Sequence, residues 1–192
     1  MITIKTKKIN TLNQNTYDSF INSLDFNRLS CSCGHSGCLT KHAYYTRSIK
    51  ADSDALVAIS VLRVKCSHCG RTHAIVPCLI VPYSQISVID QLNIINTHLS
   101  GKSMNSIMNE KCLIDENCIR RTIVRFKKFF KERLTAFSIS LNQDITKLIE
   151  SCFKHFSCQF MQIKCICNKY LSFTHITWFY SCFFIVYNTS IL

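Results

Sequence analysis

The spacing of apolar residues changes from a strand-like to a helix-like period near residue 84. Between residues 56 and 64, β-branched and aliphatic side chains alternate in part with polar ones, which predicts a strand. A second apolar run, AIVPCLIVPY at 74–83, also predicts extended chain, and its two prolines favour a sheet edge or an extended connection. The first half of the chain is therefore expected to contain a small β-structure.

Beyond residue 84, apolar side chains recur every three or four residues, as they do on the buried face of a helix. The first predicted helix ends at Gly101, and Ser103 is placed to cap a short second helix. Asp115 is placed to cap a third, longer helix with the apolar stripe Ile119, Ile123, Phe126, Phe130 and Leu134. Three helices with short connections are typical of a helix-turn-helix unit, and a plain helical hairpin is the alternative.

Two apolar segments follow these helices. Residues 145–163 predict a fourth helix that packs on the rest of the protein through Leu148, Ile149, Cys152, Phe153, Phe156, Phe160 and Ile163. The run WFYSCFFIVY at 178–187 has about half the length of a membrane-spanning helix, which takes roughly 20 residues. We therefore expect a buried or frayed tail there rather than a membrane span.

Composition excludes several classes of protein. With 4 Gly and 2 Pro in 192 residues, and no Gly-rich phosphate loop, neither a nucleotide-binding enzyme nor a many-turned β-sandwich is expected. Residues 1–15 contain three lysines but no apolar segment after them, so the 13 Cys do not follow a secretory signal. Closely spaced cysteines in a reducing compartment are typical of metal sites. A cytoplasmic protein with thiol or thiolate cysteines is the expectation.

The strongest metal-ligand motif is Cys66-x2-Cys69 followed by Gly70. Two thiolates at this spacing can occupy two corners of a tetrahedral zinc site. The glycine allows the chain to turn tightly, so that backbone amides can face the sulfurs. This motif therefore predicts one half of a zinc site.

The other half is expected upstream, at Cys33-x4-Cys38, with Cys31 as the substitute for either of these two ligands. Four thiolates fill the coordination of Zn²⁺ and leave no open position for a substrate, so the zinc is expected to be structural. Among the nearby histidines, His73 is the best placed to replace a cysteine. Buried cysteines without a metal are the alternative.

These patterns together predict an α+β protein, in which a small N-terminal zinc ribbon of β-hairpins precedes a helical domain that is helix-turn-helix-like. A polar N-terminal segment is expected at 1–29 and the zinc ribbon at 30–83. The DNA-binding helical domain is expected at 84–135, and a C-terminal helical and apolar tail, either native or degenerate, at 136–192.

The third predicted helix is strongly basic. Between residues 120 and 133 there are seven cations and one acid, in a chain whose net charge is +12. Because the apolar stripe faces inward, much of this charge should point outward, where phosphate is the obvious binding partner. A solvated face that serves only solubility is the alternative. The residues expected to contact DNA are Asn117, Arg120, Arg121, Arg125, Lys127, Lys128 and Lys131.

Three stretches carry a resemblance to a known group of proteins: HAYYTRSIK at 42–50, RVKCSHCGRTHAIVPCLIVPYSQ at 63–85 and CFKHFSCQFMQIK at 152–164. They resemble an uncharacterised bacterial family, a domain of unknown function similar to the zinc-ribbon and helix-turn-helix part of insertion-sequence transposases. The resemblance covers roughly residues 30–164, and it implies DNA binding in a mobile-element context.

The expected function is zinc-dependent recognition of double-stranded DNA in the nucleoid, by the non-catalytic part of a transposase-related protein. After residue 134 only two acidic residues remain, too few for the three carboxylates of a transposase catalytic domain, so an enzyme is not expected. A separate transposase catalytic chain is a second expected partner, whereas a small-molecule substrate and a membrane are not expected. The alternatives are a stand-alone transcriptional regulator and a zinc-held protein-interaction module.

Overall fold

The computed structural model of the protein describes residues 1–6, 12–51, 55–111, 114–156 and 161. Its strands are β1 (Ile2–Ile4), β2 (Leu39–Ala51), β3 (Ala55–Cys66) and β4 (Thr72–Pro77). Its helices are α1 (Gln14–Asn22), α2 (Val88–Leu99), α3 (Met104–Glu110), α4 (Glu116–Arg125), α5 (Lys131–Ala136) and α6 (Ile145–Phe156). A 3-10 turn lies at Phe26–Arg28, and a π-helical turn at Phe126–Phe130 joins α4 to α5. The predicted α+β class is confirmed.

The four strands form one sheet in the order β1-β4-β3-β2. Strands β2 and β3 are a long antiparallel hairpin whose register runs from Leu39 opposite Cys66 to Ala51 opposite Ala55. β3 then pairs with β4 in the antiparallel direction. The hairpin therefore carries residues near position 38 to the same end of the sheet as the turn that follows Cys66.

Strand β1, which the sequence analysis did not predict, pairs with β4 in the parallel direction. It covers the side of β4 that the prolines suggested would be an edge. Pro77 is the last residue of β4 and pairs only with Ile4 of β1, because the β3 ladder ends at Ala74. The expectation of an edge strand was therefore wrong for β4, although the proline does lie at the end of its strand.

The N-terminal segment is part of the core of the sheet. Asn13 caps α1 in a capping box, and Tyr17, Phe20 and Ile21 are buried in the same apolar cluster as the strands. The Tyr17 hydroxyl donates to the Ile75 carbonyl at 3.0 Å and accepts from the Leu62 amide at 2.8 Å. Burial raises the pKa of this hydroxyl, so it remains a donor. The described residues of this segment, 1–6 and 12–29, thus contribute to the core of the sheet, which their polar composition does not indicate.

The predicted helix boundaries in the middle of the chain are confirmed. Ser103 caps α3 and Asp115 caps α4, each accepting the amide three residues later. Gly101 has φ +87° just after α2, and the amide of Lys102 reaches back to the Thr97 carbonyl at 3.4 Å. Helices α2, α3 and α4 meet around a cluster of isoleucines: Ile86, Ile94, Ile107, Ile114, Ile119 and Ile123.

The apolar stripe of the third predicted helix is buried along its whole length, at 0–5 % exposure. From Ile119 to Leu134 the stripe takes 15 residues for four turns, whereas a regular α-helix takes about 14. The π-helical turn at Phe126–Phe130 absorbs this difference, because it uses more residues per turn. The stripe therefore stays on one side while the helix continues into α5.

The fourth predicted helix is present as α6, with Leu148, Ile149, Cys152 and Phe153 buried against the turn at Phe126–Phe130 and against α5. Phe156, the last residue of α6, is partly buried against the same cluster. Phe160 and Ile163, also expected on this helix, lie outside the described residues, as does the run at 178–187. Among the described residues, no helix combines the length and the apolar character that crossing a bilayer requires.

Hydrogen bonds join the sheet to the helices across the expected boundary at residue 83. The Arg47 guanidinium on β2 donates to the carbonyls of Val81 and Ser84, each at 2.6 Å. At the end of the same strand, Lys50 exchanges backbone bonds with Gln85 and Ser87. These contacts anchor the start of α2 on the edge of the sheet.

Candidate metal centre and basic helix face

Four cysteines converge at one end of the sheet, and we call Cys31, Cys33, Cys66 and Cys69 the cysteine cluster. Their sulfurs all lie within 4.8 Å of one another. Two come from the loop before β2, one ends β3 and one lies in the turn to β4. The hairpin register, with Leu39 opposite Cys66, is what brings these two loops together. Such a group of four thiols could hold a metal ion.

The turn after β3 has the geometry that its sequence predicts. The amides of His68 and Cys69 donate to the Cys66 sulfur at 3.3 and 3.4 Å. Gly70 has φ +69°, and its amide donates to the Cys66 carbonyl at 3.0 Å. A side chain with a Cβ rarely adopts this conformation, so the glycine is what allows the amides to face the sulfur.

Cys31 rather than Cys38 completes the cluster. The Cys31 sulfur lies 3.5 Å from that of Cys69, and the Cys33 sulfur lies 3.8 Å from that of Cys66. The Cys38 thiol is 3.4 Å from the Cys66 sulfur but donates to the His35 carbonyl at 3.1 Å. The structure thus favours the substitute that the sequence analysis named over its first choice.

The thiols of the cluster differ in acidity. Burial raises the pKa of the Cys66 thiol, but the amides of Cys69 and His68 and the neighbouring thiols outweigh it and lower this pKa to about 6. Burial raises the pKa of Cys31 to about 12. At neutral pH Cys66 is therefore a thiolate, whereas a metal ion would have to displace a proton from Cys31.

His73, the histidine that the sequence analysis considered best placed, lies against the cluster. Its Nε2 is 3.2 Å from the Cys31 sulfur, and the residue is 8 % exposed. Burial lowers its pKa, which favours the neutral ring. On the outer side of the cluster, His35 and His68 stack with their ring centroids 3.6 Å apart. The Nδ1 of His35 lies 3.5 Å from the Cys33 sulfur, so two imidazoles, those of His35 and His73, contact the cluster.

The second set of predicted residues lies on α4 and the turns after it. Ile119 and Ile123 are buried on one side of α4, and the exposed side carries what we call the basic face. Its residues are Asn117, Arg120, Arg121, Lys127, Lys128 and Lys131, all exposed. Arg120 also forms an ion pair with Glu116, one turn earlier.

Arg125 is the one expected DNA contact that does not share this exposure. Its side chain is half-buried, and the guanidinium donates to the Met161 carbonyl at 3.4 Å. Burial also lowers its pKa. The Arg125 guanidinium is therefore less available to a partner than the exposed side chains of its neighbours.

The sequence analysis did not identify Val124, which lies among these cations and is 54 % exposed. Helical spacing alone indicated that it would lie outside the buried stripe. An apolar side chain carries no charge or hydrogen-bonding group, however, so nothing in its chemistry marked it as a candidate contact.

One comparison identifies the family of the protein. Residues 30–125 match the model of a family described as Domain of unknown function (DUF6431). The chain belongs to this family. No curated protein and no solved structure matches the chain.

The DUF6431 region contains both candidate sites in large part. It begins one residue before Cys31 and ends at Arg125, so it includes the cysteine cluster and helices α2 to α4. It leaves out β1 and α1, which complete the sheet and its core. The lysines of the basic face after residue 125 also lie outside it.

Proposed function

We propose that this DUF6431 protein is a zinc-dependent DNA-binding protein, the non-catalytic recognition part of a transposase-related mobile-element protein. The observation that carries the proposal is the basic face, which is exposed on a helix whose opposite side is buried. Because the stripe from Ile119 to Leu134 anchors the helix, the cations are held outward on a rigid element. A duplex is the ligand whose charge and groove fit such a helix.

Base recognition is assigned to the first turns of α4. Asn117 and Arg121 are exposed there, and their side chains can pair in bidentate fashion with adenine and guanine. Arg120 can do the same once it leaves Glu116, because an exposed ion pair of this kind contributes about 1 kcal/mol or less. Lys127, Lys128 and Lys131 extend the face toward backbone phosphates.

Zinc is the metal that fits the cluster best, and its role is structural. With zinc–sulfur bonds of about 2.3 Å, the sulfurs of a tetrahedral site lie about 3.8 Å apart. Two sulfur pairs in the cluster lie 3.5 and 3.8 Å apart, and all four sulfurs lie within 4.8 Å of one another. Four thiolates leave no position for a substrate, so the ion would join the loop before β2 to the turn after β3.

The sheet offers a second surface for phosphate contacts. Strands β2 to β4 also carry Lys41, Lys50, Arg63 and Lys65, and no acidic residue lies in these strands. The guanidinium of Arg63 is oriented by a 2.9 Å hydrogen bond to the Thr72 hydroxyl. These cations favour nonspecific contact with the backbone of the same duplex.

The mobile-element assignment depends on the resemblance of residues 30–164 to transposase recognition regions. A stand-alone regulator would use the same surface on a different target. A dimeric regulator would select inverted half-sites about one helical turn apart, whereas a terminal-repeat binder would select an asymmetric site. The symmetry of the selected DNA therefore separates the two.

The experiment is selection from random duplex DNA with the full chain, loaded with zinc, at near-physiological salt. We expect an enriched motif that is lost in the Arg120→Ala/Arg121→Ala variant. Arg28→Ala is the control, because Arg28 is an exposed arginine outside the basic face. Its ion pair with Asp25 is also exposed, so the substitution should not disturb the fold. A folded, zinc-bound protein that enriches no motif would contradict the proposal.

A further inference from the structure

The centre of the basic face contains an apolar side chain that the charge argument does not explain. Val124 is 54 % exposed, in the last turn of α4, and Arg120, Arg121 and Lys128 lie within one helical turn of it along the chain. Leaving its branched methyls in water costs free energy that an inward position would avoid. The basic face is thus a charged surface with one apolar group at its middle.

Val124 has the spacing of a base-reading position. Together with Asn117, Arg120 and Arg121 it completes the series i, i+3, i+4, i+7 on one side of the helix. Homeodomain helices present side chains to the major groove at this same spacing. A helix placed so that Asn117 and Arg121 reach base edges therefore brings Val124 to the groove floor as well.

The chemistry of the groove then limits what Val124 can contact. Base edges in the major groove present hydrogen-bond donors, acceptors and one apolar group, the C5-methyl of thymine. A valine can neither donate nor accept a hydrogen bond, and against a donor or acceptor it would only remove water. Its β-branched side chain is rotationally stiff, so little freedom is lost when it packs against a methyl group.

We propose that Val124 is a specificity-determining residue that recognises the C5-methyl of a thymine in the DNA target. This inference rests on the proposed function, since it requires that α4 lie in the major groove. It adds a thymine to the adenine and guanine that the polar residues of the face can recognise.

The test replaces thymine by uracil, which lacks the C5-methyl but pairs in the same way. Each thymine of the selected motif is changed in turn, and the dissociation constant is measured with the full, zinc-loaded chain. We expect one replacement to weaken binding about fourfold, as the loss of one buried methyl contact predicts. In Val124→Ala the preference for thymine over uracil should become smaller, because the shorter side chain buries less of the methyl group.

Leu99→Ala is the matched control, because Leu99 is an aliphatic residue of similar exposure, 49 %, on a different helix. This variant should keep the preference for thymine. A motif in which uracil costs nothing, or a preference for thymine that is undiminished in Val124→Ala, overturns the inference and leaves the proposed function standing. Failure to enrich any motif overturns the proposed function, and the inference with it.

Discussion

The cysteine cluster and the basic face place their functional groups in opposite ways. In the cluster, Cys31 and Cys66 are fully buried, and backbone amides hold the Cys66 sulfur in place. On the basic face, the buried side chains of Ile119 and Ile123 fix the position of α4, and the polar side chains on its opposite side are exposed to solvent. The first arrangement stabilises the fold, whereas the second leaves charge available for a partner.

This difference separates the expected effects of mutation. A change in the cluster should alter metal content and stability, and DNA affinity only as a consequence. A change on the basic face should alter DNA affinity while the protein stays folded. The following predictions test that separation, beginning with the largest effect.

Removing two sulfurs of the turn after β3 should have the largest effect. In Cys66→Ser/Cys69→Ser we expect loss of the single bound zinc and of amide protection in β3 and β4, because structural zinc contributes roughly 10–16 kcal/mol in small domains. Zinc content and hydrogen exchange measure both. Cys118→Ser is the control, because Cys118 lies outside the cluster and its loss should leave the zinc bound. If Cys66→Ser/Cys69→Ser also kept its zinc, the assignment of the metal site would be refuted.

The two upstream candidates should differ in the same assay. Cys31→Ser removes a sulfur of the cluster, whereas Cys38→Ser removes a thiol that bonds to the His35 carbonyl. Loss of a group that only supports the metal ligands, as in Cys38→Ser, lowers metal affinity about 10- to 100-fold. Loss of a ligand, as in Cys31→Ser, should lower it further. Competition with a zinc chelator gives the two affinities. A larger loss in Cys38→Ser would reverse our choice of ligand.

A buried ion pair should matter more to the helical region than an exposed one. The ammonium of Lys111 lies 3.1 Å from the carboxylate of Asp90, which is 1 % exposed and also accepts from the Ser87 hydroxyl. Lys111→Met leaves this carboxylate without its cation and should cost about 3 kcal/mol of unfolding free energy. Chemical denaturation measures the change.

Lys102→Met is the control for this prediction. It breaks the exposed pair with Glu110 and should cost about 1 kcal/mol or less. Equal losses in the two variants would mean that burial of Asp90 does not matter. Zinc content should stay the same in both, since neither residue contacts the cysteine cluster.

On the basic face, specific and nonspecific contacts should separate. Arg121→Ala is expected to lose about 1–3 kcal/mol on the selected site and much less on random DNA. Lys128→Ala should weaken both alike and reduce the slope of log affinity against log salt by about 1. Titrations at several salt concentrations measure these effects. The same loss for both variants on both DNAs would contradict our assignment.

The smallest effect concerns the cap of α4. Hydrogen bonds from the side chain and the amide of Cys118 hold the pKa of Asp115 below its ordinary value of 3.8. The cap therefore stabilises the folded state fully above that ordinary pKa, and this stabilisation disappears as the pH falls through the lower folded value. Asp115→Ala should cost about 1 kcal/mol at pH 7. The difference from the unmodified protein should become smaller in strong acid.

Asp115→Asn is the matched variant for this prediction, because asparagine also caps helices but does not titrate. Its stability at pH 7 should lie close to that of the unmodified protein, and it should show no contribution from this site to the acid transition. A pH-independent cost in Asp115→Ala would show that the charge of Asp115 plays no part in the cap.

Features that depend on neighbouring residues were predictable from the sequence. The caps at Ser103 and Asp115, the glycine after α2 and the tight turn at Gly70 are all formed as expected. The residues of the apolar stripe are also buried as predicted, since their spacing repeats along the helix. Each of these involves residues within a few positions of one another, so backbone geometry and side-chain period suffice to specify them.

Features that depend on distant segments were decided only by the tertiary structure. The pairing of β1 with β4 joins residues more than 70 positions apart, and the choice of Cys31 over Cys38 follows from how two loops meet at the end of a hairpin. The burial of Arg125 and the exposure of Val124 within a basic face likewise depend on what packs around α4. Sequence spacing specifies which face of an element a residue occupies, but only packing determines what that face meets.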